Sequence, residues 1–317
     1  AAKECKSRVA YTLASSRDGD PMPSPEYEAV VAALPVGWPD PKDSIEVVRE
    51  KFAEVGGGPL EADVRVEKTI LGGVPAAWVS TPESVEDRVL LHAHGGAFVS
   101  GSSEDFLSMA ALVARLAHAR VVVFDYRVAP EHRFPAALDD CLAVYRGALE
   151  TGLPAARIGL SGDSCGGGLA VSTLLRAREA GLPQPALCVG IGGWFDLQMQ
   201  SPAARQPPGL DPFLDPEWIR CRGRDYVGPD GDLRDPLVSP LHADLQGLAP
   251  LFLQVGGLEL TRDDAAQLAE RARASGGEAL CDLWPDMIHA FQILPGSIPE
   301  GLQARERMGA WIQQRIP

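Results

Sequence analysis

Ser164 stands in Gly162-Asp163-Ser164-Cys165-Gly166, a G-x-S-x-G pentapeptide inside IGLSGDSCGGGLAVSTLL. A serine hydroxyl is a poor nucleophile alone, but one held on a sharp turn beside a base attacks carbonyl carbon. Glycine and serine are common, so the pentapeptide by itself says little. Its context says more: a strand-like run, IGLS, precedes it and a helix-like run, GGGLAVSTLL, follows. Glycines flank the serine because a Cβ there would clash in a strained turn. The helix N-terminus that follows favours negative charge.

Such a serine needs an imidazole to take its proton and a carboxylate to orient that imidazole. Downstream of Ser164 the histidines are His242 and His289. His289, in LCDLWPDMIHAF, follows the last strand-like run, where a loop can carry it over the turn. His242 precedes the run LFLQV and reads as structural. On strand–turn–helix scaffolds of this kind the acid lies between serine and histidine in the chain. After LFLQV the sequence runs Gly256-Gly257-Leu258-Glu259-Leu260-Thr261-Arg262-Asp263-Asp264. Glu259 falls in the turn, whereas Asp263 and Asp264 open the next helix, where acidic side chains suit the dipole. Glu259 is the first choice of acid and Asp263 the second.

A developing oxyanion needs bare N–H donors. His94-Gly95-Gly96-Ala97-Phe98 follows the strand-like VLLHA, and its glycine-rich turn offers the N–H groups of Gly96 and Ala97. The N–H of Cys165 is the third. A histidine heading such a turn braces it, which is the role given to His94. His92 and His94 share a strand face, but no nearby carboxylate or cysteine completes a metal site. The reaction so read needs no metal and no cofactor.

These groups require elements to hold them. Strand candidates are 64–70, 74–80, 89–93, 121–125, 158–161, 187–191, 251–255 and 280–284. Several, such as VVVF and LFLQV, are continuous apolar runs of the kind buried on both faces of a parallel sheet. Helical candidates are 106–117, 136–150, 165–180, 263–274 and 299–316. Their alternation predicts a doubly wound α/β sheet. Upstream, helices are expected around Glu26–Leu34 and Ser44–Val55, the second capped by Ser44 and ended by Gly56-Gly57-Gly58. Residues 1–23 read as a loose extension. Residues 197–235, rich in proline, arginine and aspartate, are too long for a plain loop and read as an insertion folded over the site.

The chain has 317 residues and a net charge of −14, from 43 acidic and 29 basic side chains. A phosphate backbone or anionic membrane would repel it. No run reaches the ~18 apolar residues of a membrane span. The first thirty residues lack an apolar signal-peptide core, so a cytoplasmic location is expected. The six cysteines, at 5, 141, 165, 188, 221 and 281, are scattered and expected to be free thiols.

Taken together, these motifs resemble the hormone-sensitive-lipase-like esterases, bacterial family IV of the α/β-hydrolase superfamily, over residues 24–317. His94–Ala97 is similar to that family's HGGG, Tyr126-Arg127-Val128-Ala129-Pro130-Glu131 to its YRLAPE, Gly162–Gly167 to its GDSAGG, and Asp235–Pro240 to its DPLxSP. The chain departs at Ala97, where the family has a third glycine, at Cys165, where it has alanine, and at Glu259, where aspartate is usual. The resemblance implies a mostly parallel eight-stranded sheet with a helical cap. The core would be 61–196 and 236–317, and the cap 1–60 with 197–235. It implies an acyl pocket lined by Phe98, Trp194, Phe195, Phe213, Trp218 and Ile288, and a small ester as substrate, turned over through an acyl-enzyme. A homodimer is left open. A lactonase, an amidase or an acyltransferase would use the same residues. A non-catalytic binding protein on this fold would lack the histidine that His289 supplies.

Overall fold

The computed structural model describes residues 12–13, 23–34, 40–55, 57–294 and 298–316. In chain order the strands are β1 (Thr12–Leu13), β2 (Arg65–Leu71), β3 (Val74–Ser80), β4 (Val85–Ala93), β5 (Ala119–Phe124), β6 (Ile158–Asp163), β7 (Leu187–Ile191), β8 (Leu251–Gly256) and β9 (Ala279–Trp284). The helices are α1 (Pro25–Ala32), α2 (Ile45–Val55), α3 (Leu107–Ala117), α4 (Ala136–Glu150), α5 (Cys165–Glu179), α6 (Pro216–Val227), α7 (Arg262–Ala274) and α8 (Pro299–Arg315). Each of the eight expected strands is present, with its ends moved by up to four residues. β4 starts at Val85 rather than Val89. A register break between those residues admits the polar Glu86-Asp87-Arg88, which no apolar run announces. A ninth, two-residue strand, β1, pairs parallel with β9. The expected helix stop at Gly56 and most of the expected 1–23 extension lie outside the described residues.

The sheet order is β1-β9-β8-β7-β6-β4-β5-β3-β2. β2 and β3 form an antiparallel hairpin whose two-residue turn, Gly72-Gly73, has φ of 60° and 85° at its two positions. Only glycine adopts two such angles in succession without strain. β3 meets β5 antiparallel, and every other pairing is parallel. The chain places β5 on one side of β4 and β6 on the other. Connections therefore diverge at the C-terminal ends of β4 and β6, which opens a crevice there. The two motifs HGGAF and GDSCG leave these two strand ends.

Alternation along each strand sends side chains to opposite layers. Leu90, Val121 and Leu187 pack with Val113 of α3 and Ile312 of α8. Leu91, Val122 and Leu160 pack with Leu138 of α4, Leu174 of α5 and Leu268 of α7. Each such side chain, fully buried, contributes about 1.5–3 kcal/mol, which is why both sheet faces need helices. α1 rests elsewhere: Tyr27 packs with Trp284, Met287 and Ile288 at the C-terminal end of β9. α2 is held by Arg49, whose guanidinium donates to the carbonyls of Val99 (2.8 Å) and Ala129 (3.1 Å) and pairs with Glu131 (2.6 Å).

The 197–235 segment is not a plain loop. It carries a short 3₁₀ turn at Ala203–Arg205 and helix α6. Asp215 caps α6 by accepting from the N–H groups of Glu217 and Trp218, and Pro216 opens it. Trp218 stacks on Phe52 of α2 with ring centroids 6.2 Å apart. Chain segments some 160 residues apart in sequence thus meet across the crevice.

Candidate active site

β6 ends at Asp163 and α5 begins at Cys165, so Ser164 alone makes the turn. Its φ of 52° and ψ of −124° lie outside the regions comfortable for a side chain, at a cost of about 1–3 kcal/mol. The turn is fastened by Ser164 N–H to the Ile191 carbonyl (2.8 Å) and by Trp194 N–H to the Ser164 carbonyl (2.9 Å). A Cβ on Gly162 would lie 2.2 Å from the Gly166 carbonyl oxygen, and one on Gly166 would lie 2.0 Å from that of Ala93. Close backbone approach, not a left-handed angle, is why both positions are glycine.

The loop after β4 takes positive φ at three successive residues: Gly96 (114°), Ala97 (52°) and Phe98 (67°). Ala97 occupies a backbone position where the family's glycine would be unstrained, at a cost of about 1–2 kcal/mol. Gly96 and Ala97 line the same cavity as Ser164 and His289. The N–H of Cys165 is the first of α5. Its thiol does something sequence reading did not anticipate: Sγ accepts from the N–H of Phe98 (3.2 Å), holding the loop from behind. Burial pushes this thiol up to about 12, so it is a neutral packing group.

His94 is fully buried, stacks on Tyr126 (centroids 4.2 Å apart) and places Nδ1 2.7 Å from the Gly95 carbonyl. Burial lowers its pKa. It braces the loop and does not reach the cavity. His92 lies between Ser161 Oγ and Asp163 Oδ1, each at 3.0 Å, and Asp163 Oδ1 also accepts from Gly95 N–H. Gly95 thus stands between the two histidines of the HxH pair, its carbonyl meeting His94 and its N–H sharing Asp163 Oδ1 with His92.

His289 sits in the loop after β9, with Nδ1 2.9 Å from Glu259 Oε2. Glu259, fully buried in the turn after β8, accepts from Gly256 N–H through Oε1 (2.7 Å) and from Thr261 Oγ1 through Oε2 (3.1 Å). Burial is the largest influence on His289 and disfavours its imidazolium. The Glu259 charge and hydrogen bond, with the Asp211 and Asp163 charges, outweigh it, and the His289 pKa is raised. Asp263 is turned elsewhere: its Oδ2 accepts from Ala203 N–H (2.8 Å). Asp264 is buried in α7. Of the two candidate acids, Glu259 is the one in contact with the imidazole.

Ser164, His289, Gly96 and Ala97 open on one cavity of about 330 Å³. Trp194, Phe213 and Trp218 line it, and Phe213 stacks on His289 with centroids 6.0 Å apart. Three expected lining residues do not. Phe98 stacks on Tyr226 (3.8 Å) in the core, Phe195 lies under Gly190 and Gly193, and Ile288 packs with Tyr27 and Trp284. An aromatic or aliphatic residue beside a motif reads the same in sequence whether it faces the cavity or the layer beneath. Thr261, Asp211 and Tyr27 were also missed. Asp211 sits 2% exposed beside His289, and burial, opposed by the His289 charge, raises its carboxyl to about 7.

A family model described as alpha/beta hydrolase fold matches residues 90–293. The crystal structure of an esterase from the bacterial hormone-sensitive lipase family superposes with a TM-score of 0.87 at 38% identity, covering 93% of this chain and 99% of that one. The chain is an α/β-hydrolase of the hormone-sensitive-lipase-like esterase family. An acetyl-hydrolase of Streptomyces hygroscopicus is 36% identical over 92% of this hydrolase and 97% of its own length. An esterase of Acinetobacter venetianus is 31% identical over 78% and 81%. The mostly parallel sheet expected from the motifs is the one present. Among the described residues no helix is long and apolar enough to cross a membrane.

Proposed function

We propose that this carboxylesterase cleaves short-to-medium acyl esters through a covalent intermediate on Ser164. The observation that carries the reading is the meeting, on one cavity, of a strained serine and a histidine backed by a buried carboxylate. Ser164 Oγ attacks the ester carbonyl, and His289 takes its proton. Glu259 fixes the imidazole tautomer and stabilises the imidazolium, while the N–H groups of Gly96, Ala97 and Cys165 hold the oxyanion. His289 then protonates the leaving alcohol and activates water for deacylation.

Helices α1 and α2, with the 197–235 insertion, act as a cap over a core of 61–196 and 236–317. The Phe52–Trp218 stack and the packing of Tyr27 against the His289 loop support this division. Bulky Phe213, Trp218 and Trp194 limit the cavity, which favours acyl chains of about two to eight carbons, each added methylene gaining roughly 0.8 kcal/mol until the space is full. The five described cysteines are unpaired, which fits a reducing cytoplasm. The test is a hydrolysis panel of aryl esters, lactones and anilides of rising acyl length. Ester turnover peaking at short chains supports the reading. A preference for anilides, lactones or long-chain triglyceride opposes it.

A further inference from the structure

The cavity wall also includes Met109 and Leu112 of α3, Gln292 and Ile293 after the His289 loop, and Arg305 of α8. Two polar side chains there lack the partners their burial calls for. Arg305 is 5% exposed. Its Nη1 donates to the Gln292 carbonyl, but Nε meets no acceptor, and among the described residues no carboxylate is within ion-pair distance. Gln292 is 1% exposed, and its Oε1 is also without a partner.

The orientation of Gln292 follows from its neighbours. Gln254 Nε2 donates to Asp282 Oδ2 (2.9 Å) and to the Ala304 carbonyl (3.0 Å), which leaves Gln254 Oε1 to face Gln292. Gln292 must then present Nε2 (3.1 Å), and its Oε1 is left over. The acids lining the cavity are already engaged. Asp163 holds His92 and the Gly95 N–H, and Asp105 accepts from Ser102 Oγ. A buried guanidinium without a counter-charge is strongly unfavourable, and an anionic ligand would relieve that cost. Guanidinium is also the side chain best shaped to take a carboxylate by two parallel bonds.

We propose that Arg305, beside Gln292, forms a subsite for a carboxylate carried by the substrate a few carbons from the scissile ester. The inference rests on the esterase reading and names its substrate class: monoesters bearing a free carboxylate, on the acyl or the alcohol side. Arg305 is a specificity residue that binds the remote group and takes no part in bond making. The −14 net charge of the chain slows the approach of such anions at low salt, so selectivity must come from this local site.

The experiment compares kcat/KM, at pH 8 and moderate salt, for matched pairs of esters in which a terminal methyl is replaced by carboxylate. One pair carries the change on the acyl chain and the other on the alcohol. Wild type is expected to favour the carboxylate member of one pair by about tenfold or more, and that pair identifies the side bound. In Arg305→Met the charged-to-neutral ratio of that pair is expected to fall below one. Because the ratio is taken within one variant, a general loss of activity cancels. Should Arg305→Met not fold, Arg305→Lys keeps the charge without the fork and is expected to lower the ratio partway. A wild-type ratio of one or less in both pairs overturns the subsite, as does a ratio indifferent to both substitutions. If neither member of either pair is hydrolysed, the esterase reading fails instead, and separately.

Discussion

The hydroxyl of Tyr27, on the first helix, accepts from the N–H of Ile288 (2.9 Å) and donates to the carbonyl of Asp286 (3.0 Å). A residue near the start of the chain thus holds the loop that carries His289. Ser24 reinforces the contact through its hydroxyl, which donates to Glu300 of α8 (2.8 Å). Tyr27→Phe keeps the ring and leaves the buried Ile288 N–H unpaired. The cost in unfolding free energy should be about 1–3 kcal/mol, and turnover should fall more than KM rises, because the imidazole is less well placed. Urea unfolding and steady-state kinetics measure both. Unchanged values in both would mean that α1 does not set the histidine loop.

Glu259→Gln should lower turnover by about 10³–10⁴-fold, as loss of the orienting carboxylate does in other triads. Asp263→Asn should change kcat little, since Asp263 is bonded to Ala203 N–H and not to the imidazole. Parallel kinetics on the two variants distinguish them. The reverse pattern would move the acid to α7.

The pH profile has a worked direction. The general base must be neutral, so activity is lost as pH falls through the raised pKa of His289, and the acid limb should lie above the ordinary ~6.5. The Asp211 charge is one of the influences raising it. Asp211→Asn should therefore move the limb to lower pH. Asp211 itself, raised to about 7, holds a proton in the folded state that the unfolded chain has released above pH ~4. By linkage its contribution to stability falls as pH rises from about 4 to 7. Asp211→Asn should flatten that part of the stability curve. Kinetic profiles from about pH 5 to 9 and thermal melts from about pH 4 to 9 read both effects. An acid limb that does not move would remove Asp211 from the electrostatics of His289.

Trp218→Ala should shift the acyl optimum towards longer chains, because it empties part of the cavity wall and removes the stack on Phe52. Phe213→Ala tests the same wall less cleanly, since Phe213 also stacks on His289. The readout is kcat/KM against acyl length. An optimum left in place by Trp218→Ala would mean that the acyl chain lies elsewhere in the cavity.

Local chemistry explains what the sequence made legible. Continuous apolar runs such as VVVF and LFLQV have one stable setting, a strand covered on both faces. The strand–GxSxG–helix context constrains backbone as well as side chain, so Ser164 and its glycines stood out. Glu259 was preferred to Asp263 on turn position alone, and its contact with His289 fits that choice. The rest depends on contacts far apart in the chain. Tyr27 meets residues 286 and 288, Arg49 meets Val99 and Glu131, and Gln292 lies against Arg305 across a helix start. No periodicity encodes these meetings. Phe98, Phe195 and Ile288 show the same limit: side-chain type gave apolar character, but the twist of the backbone beside the motif decided which layer each one fills.

The central claim is that Ser164 is the nucleophile. The most direct measurement is treatment with a fluorophosphonate, followed by peptide mass spectrometry and titration of activity. One equivalent should bind, on the peptide carrying Ser164, with loss of activity in proportion. Ser164→Ala should take up none and lose turnover while melting within a few degrees of the parent, since alanine relieves no contact but the hydroxyl. Label on another residue, or a Ser164→Ala variant that still turns over esters at the parent rate, would contradict the account.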